Sequence, residues 1–162
     1  MTKKIFQSII IVAATVLLAS LTIILGVFYE YFGNIQKGQL TDELNLASVS
    51  VIKDGVDYLE HLQSDHYRLT WIDTDGTVLY DTETGNEELE NHKDRAEVKT
   101  AFEKGIGEST RYSATLMEKT RYYAKRLEDG TVLRISAKYA TTGLLVLGML
   151  QPIIFIIIGA LL

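Results

Sequence analysis

Two long uncharged blocks, residues 5–29 and residues 139–162, bracket everything else in this chain of 162 residues. About 20 apolar residues in a helix cross about 30 Å of hydrocarbon, so each block is long enough to span a bilayer. The middle of the chain must then fold as a domain tied to lipid at both ends. The blocks account for a hydrophobic content of 47% and a mean hydropathy of +0.10, because the middle is rich in charge. All 21 acidic residues lie there, and only Lys3 and Lys4 of the 16 basic residues lie outside it, which leaves residues 30–138 with a net charge of −7. No basic stripe interleaved with aromatics occurs, so nucleic acid is not an expected partner. Membrane lipid is.

Lys3 and Lys4 stand directly before the first block and place residues 1–4 in the cytoplasm, so that the middle lies outside the cell. The first block is longer than the apolar core of about 7–15 residues in a cleaved leader, and it reads as an uncleaved anchor. The expected localisation is the plasma membrane, multi-pass, with an extracytoplasmic domain. The chain has no cysteine, which excludes disulfides and thiolate metal sites.

Residues 5–29 form transmembrane helix 1. Beyond them Phe32, Ile35, Leu40, Leu44, Val49, Ile52, Val56 and Leu59 recur mostly at three- and four-residue steps, the pattern of an amphipathic helix weakly interrupted at Gly33 and Gly38. Residues 30–66 are therefore read as a signalling helix that either continues the membrane helix and pairs with a second copy or packs only on its own domain. The pattern changes at Tyr67. Two short strands, residues 67–73 and 77–80, flank an Asp75-Gly76 turn, a hairpin signal. Residues 95–104 read as a short helix stopped at Gly105. Strands follow at 108–113, 119–127 and 131–137, the last two joined by Glu128-Asp129-Gly130. The fold class is α+β: a five-stranded antiparallel sheet with a long N-terminal helix, its helices covering one sheet face, over residues 67–138. Residues 139–162 form transmembrane helix 2.

The run from Tyr67 through Trp71-Ile72-Asp73-Thr74-Asp75-Gly76 to Asp81 resembles the first hairpin of the extracytoplasmic sensor domain in membrane histidine kinases of the phosphate-regulon sensor type. Asn91-His92-Lys93-Asp94-Arg95-Ala96-Glu97-Val98 is similar to the family's Asn-His-x-x-Arg-Pro-Glu-Val segment, with Ala96 in place of the proline. Gly107 to Ser113 resembles its third strand, and Tyr122 to Leu127 with Gly130 to Arg134 its closing hairpin. The resemblance implies a PAS-like, single-Cache sensor domain and a homodimer. It further implies the input region of a two-component system whose ATP-dependent kinase portion, and with it the cognate response regulator, belongs to a longer protein. A stand-alone membrane interaction module and a chemoreceptor half are the alternatives.

No Gly-rich phosphate loop, Walker lysine or nucleophile elbow occurs, so the chain itself carries no catalytic residues and implies no cofactor. Arg111, Arg121, Tyr122 and Tyr123 are the candidate ligand-binding residues. Strand alternation sets Arg121 and Tyr123 on one face and Tyr122 on the other, and either set could line a pocket between sheet and helix. Guanidinium and phenol groups suit a small carboxylate or similar anion, although an envelope protein could also be the stimulus. The competing reading pairs these arginines with Glu108, Glu118 and Glu128 and buries the tyrosines. His61 and His66, near Asp65, are either a metal site or a solvated pair at a helix end. Asp81, Glu83, Glu87, Glu88 and Glu90 form an acidic loop that either gathers divalent cations or stays hydrated. Pro152, the chain's only proline, bends the second membrane block and is a candidate point of signal transmission, or a tolerated kink.

Overall fold

The computed structural model describes residues 2–62, 64–85, 89–113 and 118–140. Residues 141–162, with Pro152, lie outside them, as do Glu87 and Glu88 of the acidic loop. The chain divides into two compact units, Met1–Lys37 and Gly38–Leu162.

The first unit is helical throughout its described residues and belongs to α1 (Thr2–Asp54). Its apolar side chains are exposed among the described residues: Phe6 is 65% exposed, Leu18 63% and Ile23 67%. The helix is long and apolar enough to cross a membrane. Thr15, Ser20 and Thr22 donate their hydroxyls to the carbonyls of Ile11, Leu17 and Leu18 at 2.8–2.9 Å, so these side chains add no unmet donor to an apolar surface.

In the second unit, the helix passes Gly38 without a break. A glycine inside a helix costs only about 1 kcal/mol relative to alanine, and the buried face that follows outweighs it. That face consists of Leu40, Leu44, Ala47 and Val51, all at most 6% exposed and spaced by four, three and four residues. The helix, expected to run on through residues 30–66 with weak interruptions at Gly33 and Gly38, breaks instead at Gly55, where φ is +62° and a side chain would be strained. A short helix, α2 (Val56–His61), follows and buries Leu59.

The sheet is antiparallel and five-stranded, in the order β2-β1-β5-β4-β3. Its strands are β1 (Arg68–Ile72), β2 (Val78–Asp81), β3 (Ile106–Ser113), β4 (Glu118–Arg126) and β5 (Val132–Ala140), with α3 (Ala96–Lys104) between β2 and β3. Each lies within a residue or three of its expected place. The β1–β2 turn receives the Asn91–Lys93 segment: the Asn91 side-chain amide donates to the carbonyl of Asp75 at 3.1 Å, and the His92 amide to that of Gly76 at 2.8 Å.

The expectation that helices cover one sheet face is corrected. Leu69, Tyr80, Tyr123, Leu133, Ile135 and Ala137 form one core layer with the buried face of α1. Ile72, Ala124 and Val132 form a second layer with Val98 and Ala101 of α3. Along β5, residues 132 and 133 fall in different layers, so α1 and α3 sit on opposite faces. A strand covered on both sides has no solvent face to alternate toward, which is why every residue from Val132 to Ala137 is buried. The α3 layer is close-packed to the limit. A Cβ on Gly107 would lie 1.9 Å from the Glu97 carbonyl oxygen, so β3 approaches α3 as only glycine permits.

Candidate functional site

Beyond Ile72, Ala124 and Val132, the α3 face of the sheet turns polar. Alternation continues it through Arg68 and Thr70 on β1, Arg134, Ser136 and Lys138 on β5, Thr120 and Tyr122 on β4, and Ser109 and Arg111 on β3. Register brings these together: Thr70 opposes Arg134, Tyr122 opposes Ser136, and Thr120 stands opposite both Lys138 and Arg111. An open cavity of about 670 Å³ lies over this surface, walled by Ser64 to Tyr67 on one side and by His92 and Arg95 on another.

Its floor is an ion network that the fold buries. Glu97, on the inner face of α3, is fully buried; it accepts from the Ser109 hydroxyl at 2.5 Å and from Arg111 Nη2 at 2.9 Å, and Arg134 Nη1 lies 3.6 Å away. Arg134 is 5% exposed and donates through Nη2 to Thr70 Oγ1 at 2.9 Å. The Thr70 hydroxyl in turn donates a hydrogen bond to Asp81 Oδ2 at 2.7 Å, and Arg68 Nε pairs with the other oxygen of that carboxylate at 2.8 Å. The guanidinium of Arg111 stacks over the Tyr122 ring, Cζ to centroid 4.2 Å, with that of Arg134 at 5.4 Å.

Burial opposes ionisation of both carboxylates, yet their partners prevail. Glu97 is held below the usual carboxylate range by Ser109, its own backbone amide, Arg111 and Arg134. Asp81 is likewise depressed, by Arg68, Thr70 and the Glu83 amide. Burial lowers the Arg134 guanidinium, with Glu97 pulling against it. His92 is 7% exposed, and its Nδ1 has no partner among the described residues. Burial first, then the positive charges of Arg134, Arg95 and Arg68, lower its imidazole to about 4 against the pull of Asp81. It is neutral at pH 7.

Of the residues read as binding a ligand, the cavity gathers Arg111 and Tyr122. Tyr123 is 7% exposed in the α1 layer instead, and Arg121, two positions before it and opposite Ala137, shares that face. The pocket is therefore not between the sheet and the long helix. Arg111 pairs with Glu97 of α3 at 2.9 Å. Asp81, read as one carboxylate of a hydrated or cation-gathering loop, is instead the buried end of β2. Pro152 lies outside the described residues. Sequence reasoning missed Arg134, Arg68, Arg95 and His92. A signal existed for the first, since Arg134 interrupts the apolar run Val132-Leu133-Ile135 in a strand already placed.

The network consists of hydroxyls that donate to carboxylates kept ionised by arginine. It offers donors and positive charge, the means to hold an anion. Fold and site together define an α+β domain with a polar, arginine-lined cavity, carried on a long apolar helix. No protein-family model and no curated protein matches this chain.

Proposed function

We propose that this chain is the sensor region of a membrane two-component histidine kinase. In this reading a PAS-like, single-Cache domain outside the cell is held between two transmembrane helices, residues 5–29 and 139–162, and acts as a homodimer. The kinase portion, in this reading, belongs to a longer protein, and a cognate response regulator is a partner only through that portion. The observation that carries the proposal is the continuity of α1: the helix whose apolar, uncovered turns suit lipid also supplies Leu40, Leu44, Ala47 and Val51 to the core against the sheet. A stimulus that favours one packing of sheet on helix over another acts on the same helix that carries the apolar turns. Leu46, Val49 and Ile52, 66%, 68% and 50% exposed, make a stripe on the outer side of the same helix. Anchoring in one membrane plane holds two such helices parallel, and a second copy presents the same stripe in return, the self-complementary contact of a two-fold dimer.

Because the chain has no cysteine, its topology can be tested with single ones. Lys99→Cys, exposed on α3, is expected to react with a membrane-impermeant maleimide on intact cells, and Lys3→Cys only after permeabilisation. The reverse pattern would end the sensor proposal.

A further inference from the structure

We propose that the cavity on the α3 face is the recognition site for a small molecule bearing an oxyanion group, carboxylate or phosphate, held by Arg134 and His92 at the floor and by Arg111 and Lys138 at the side. Three observations converge on it. Two buried nitrogens of the cavity, Arg134 Nε and His92 Nδ1, have no hydrogen-bond partner among the described residues. Unmet polar groups at such depth are rare in folded proteins, and acceptors supplied by a ligand would meet them. An oxygen anion can accept from a guanidinium N–H and from an imidazole N–H in the tautomer protonated at Nδ1.

The second observation is charge. The cavity is lined by five cationic side chains against the carboxylates of Asp65 and Glu83, with those of Asp81 and Glu97 beneath. With Glu90, 3.8 Å from Arg95, the charges balance, a concentration of cations that stands out in a segment whose net charge is −7. Coulombic repulsion among the cations is part of what lowers the imidazole of His92, and a bound anion relieves it. The third is preorganisation. Arg111 is fixed by Glu97 on one edge and by the Tyr122 face, which leaves its remaining N–H groups directed by contacts already made. The cavity, at about 670 Å³, has room for a multivalent small molecule rather than for a bare ion alone.

This inference deepens the sensor proposal and depends on it only for the side of the membrane from which the ligand arrives. Binding to the purified full chain therefore stands or falls apart from topology. The test follows thermal unfolding of the full chain in nanodiscs with orthophosphate, citrate or malonate, against sodium chloride of equal ionic strength. At saturation at least one of the three is expected to raise the midpoint by about 5 °C or more over the chloride control. The anion that raises it most assigns the class: citrate or malonate a carboxylate, orthophosphate a phosphate. The ring resonances of His92, assigned by loss in His92→Gln, should titrate at higher pH with that anion bound, by about one unit or more.

Thr120→Glu sets a tethered carboxylate between Arg111 and Lys138 and should weaken the response at least about tenfold. If that variant does not fold, Lys138→Gln at the exposed end of the cavity should weaken it about threefold or more by loss of one charge. Equal midpoints in all four salts, or a response unchanged in the folded variant, would overturn the proposal.

Discussion

Glu97 holds the polar half of the domain in place, and His92 sets how that half responds to pH. A buried carboxylate flanked by two arginines is stable only as a complete set, since removal of one partner strands the other charges away from water. Here Glu97 accepts from Ser109 and Arg111 of β3 with Arg134 of β5 close by, and Asp81 plays the same part for Arg68 and Thr70. His92 has the opposite character: it is buried neutral among like-signed neighbours. Its folded value of about 4 lies below the ordinary 6.5, so the unfolded chain takes up the proton first as pH falls. The stabilisation is present in full above pH 6.5 and is lost as pH falls toward 4. Between pH 7 and pH 5, where the depressed carboxylates stay ionised in the folded domain, this single group should remove about 2 kcal/mol. Denaturant titrations of the wild-type chain at the two pH values measure it. In His92→Gln the difference should shrink to well under half, and an unchanged difference would assign the pH response to other groups.

Among the elements, α1 shows most directly how position decides energy. Leu44 and Leu46 are two residues apart on one helix, yet Leu44 is 3% exposed and Leu46 66%. Leu44→Ala should cost about 2–4 kcal/mol through lost burial and the cavity left behind. Leu46→Ala should change monomer stability by no more than about 0.5 kcal/mol, while weakening self-association if the outer stripe is the dimer contact. Equilibrium unfolding and sedimentation of both variants separate the two effects. The sequence made these elements legible wherever a local signal existed. Asp75-Gly76 and Asp129-Gly130 located both hairpins, and three- and four-residue spacing located the buried face of α1. It misled where the answer lay in distant chain. Alternation separated Arg121 and Tyr123 from Tyr122, but only the docking of α3 decides which set faces a cavity and which faces the α1 layer. Arg134 reaches Thr70 across 64 residues of sequence, and no local pattern records such a pairing. The weak interruption expected at Gly38 is absent for the same reason. A helical glycine is tolerated where the flanking turns have a face to bury, and Leu40 to Val51 supply one.

The two compact units make a claim about where stability resides that can be tested by cutting the chain. The α1 core layer begins at Leu40 and the last core residue of β5 is Ala137, so every buried apolar group of the folded domain lies within the second unit. The apolar turns before Lys37 contribute none of it. A chain truncated to residues 38–140 should therefore be soluble without detergent and unfold in one cooperative transition, because it keeps both core layers and the whole Glu97–Asp81 network. A chain truncated to residues 56–140 should not. It loses Leu40, Leu44, Ala47 and Val51 together, at about 1–3 kcal/mol each from burial alone, a sum comparable to the roughly 5–15 kcal/mol that separates a small domain from its unfolded state. It would also expose Leu69, Leu133 and Ile135 of the sheet to water, where an uncovered apolar face drives aggregation. Circular dichroism and thermal melts of the two truncations decide the matter. If residues 56–140 fold as well as residues 38–140, the α1 face is a covering and not part of the core. A stimulus on the sheet would then have no grip on the helix that leads to the membrane, and the mechanism proposed for signalling would have to be abandoned with it.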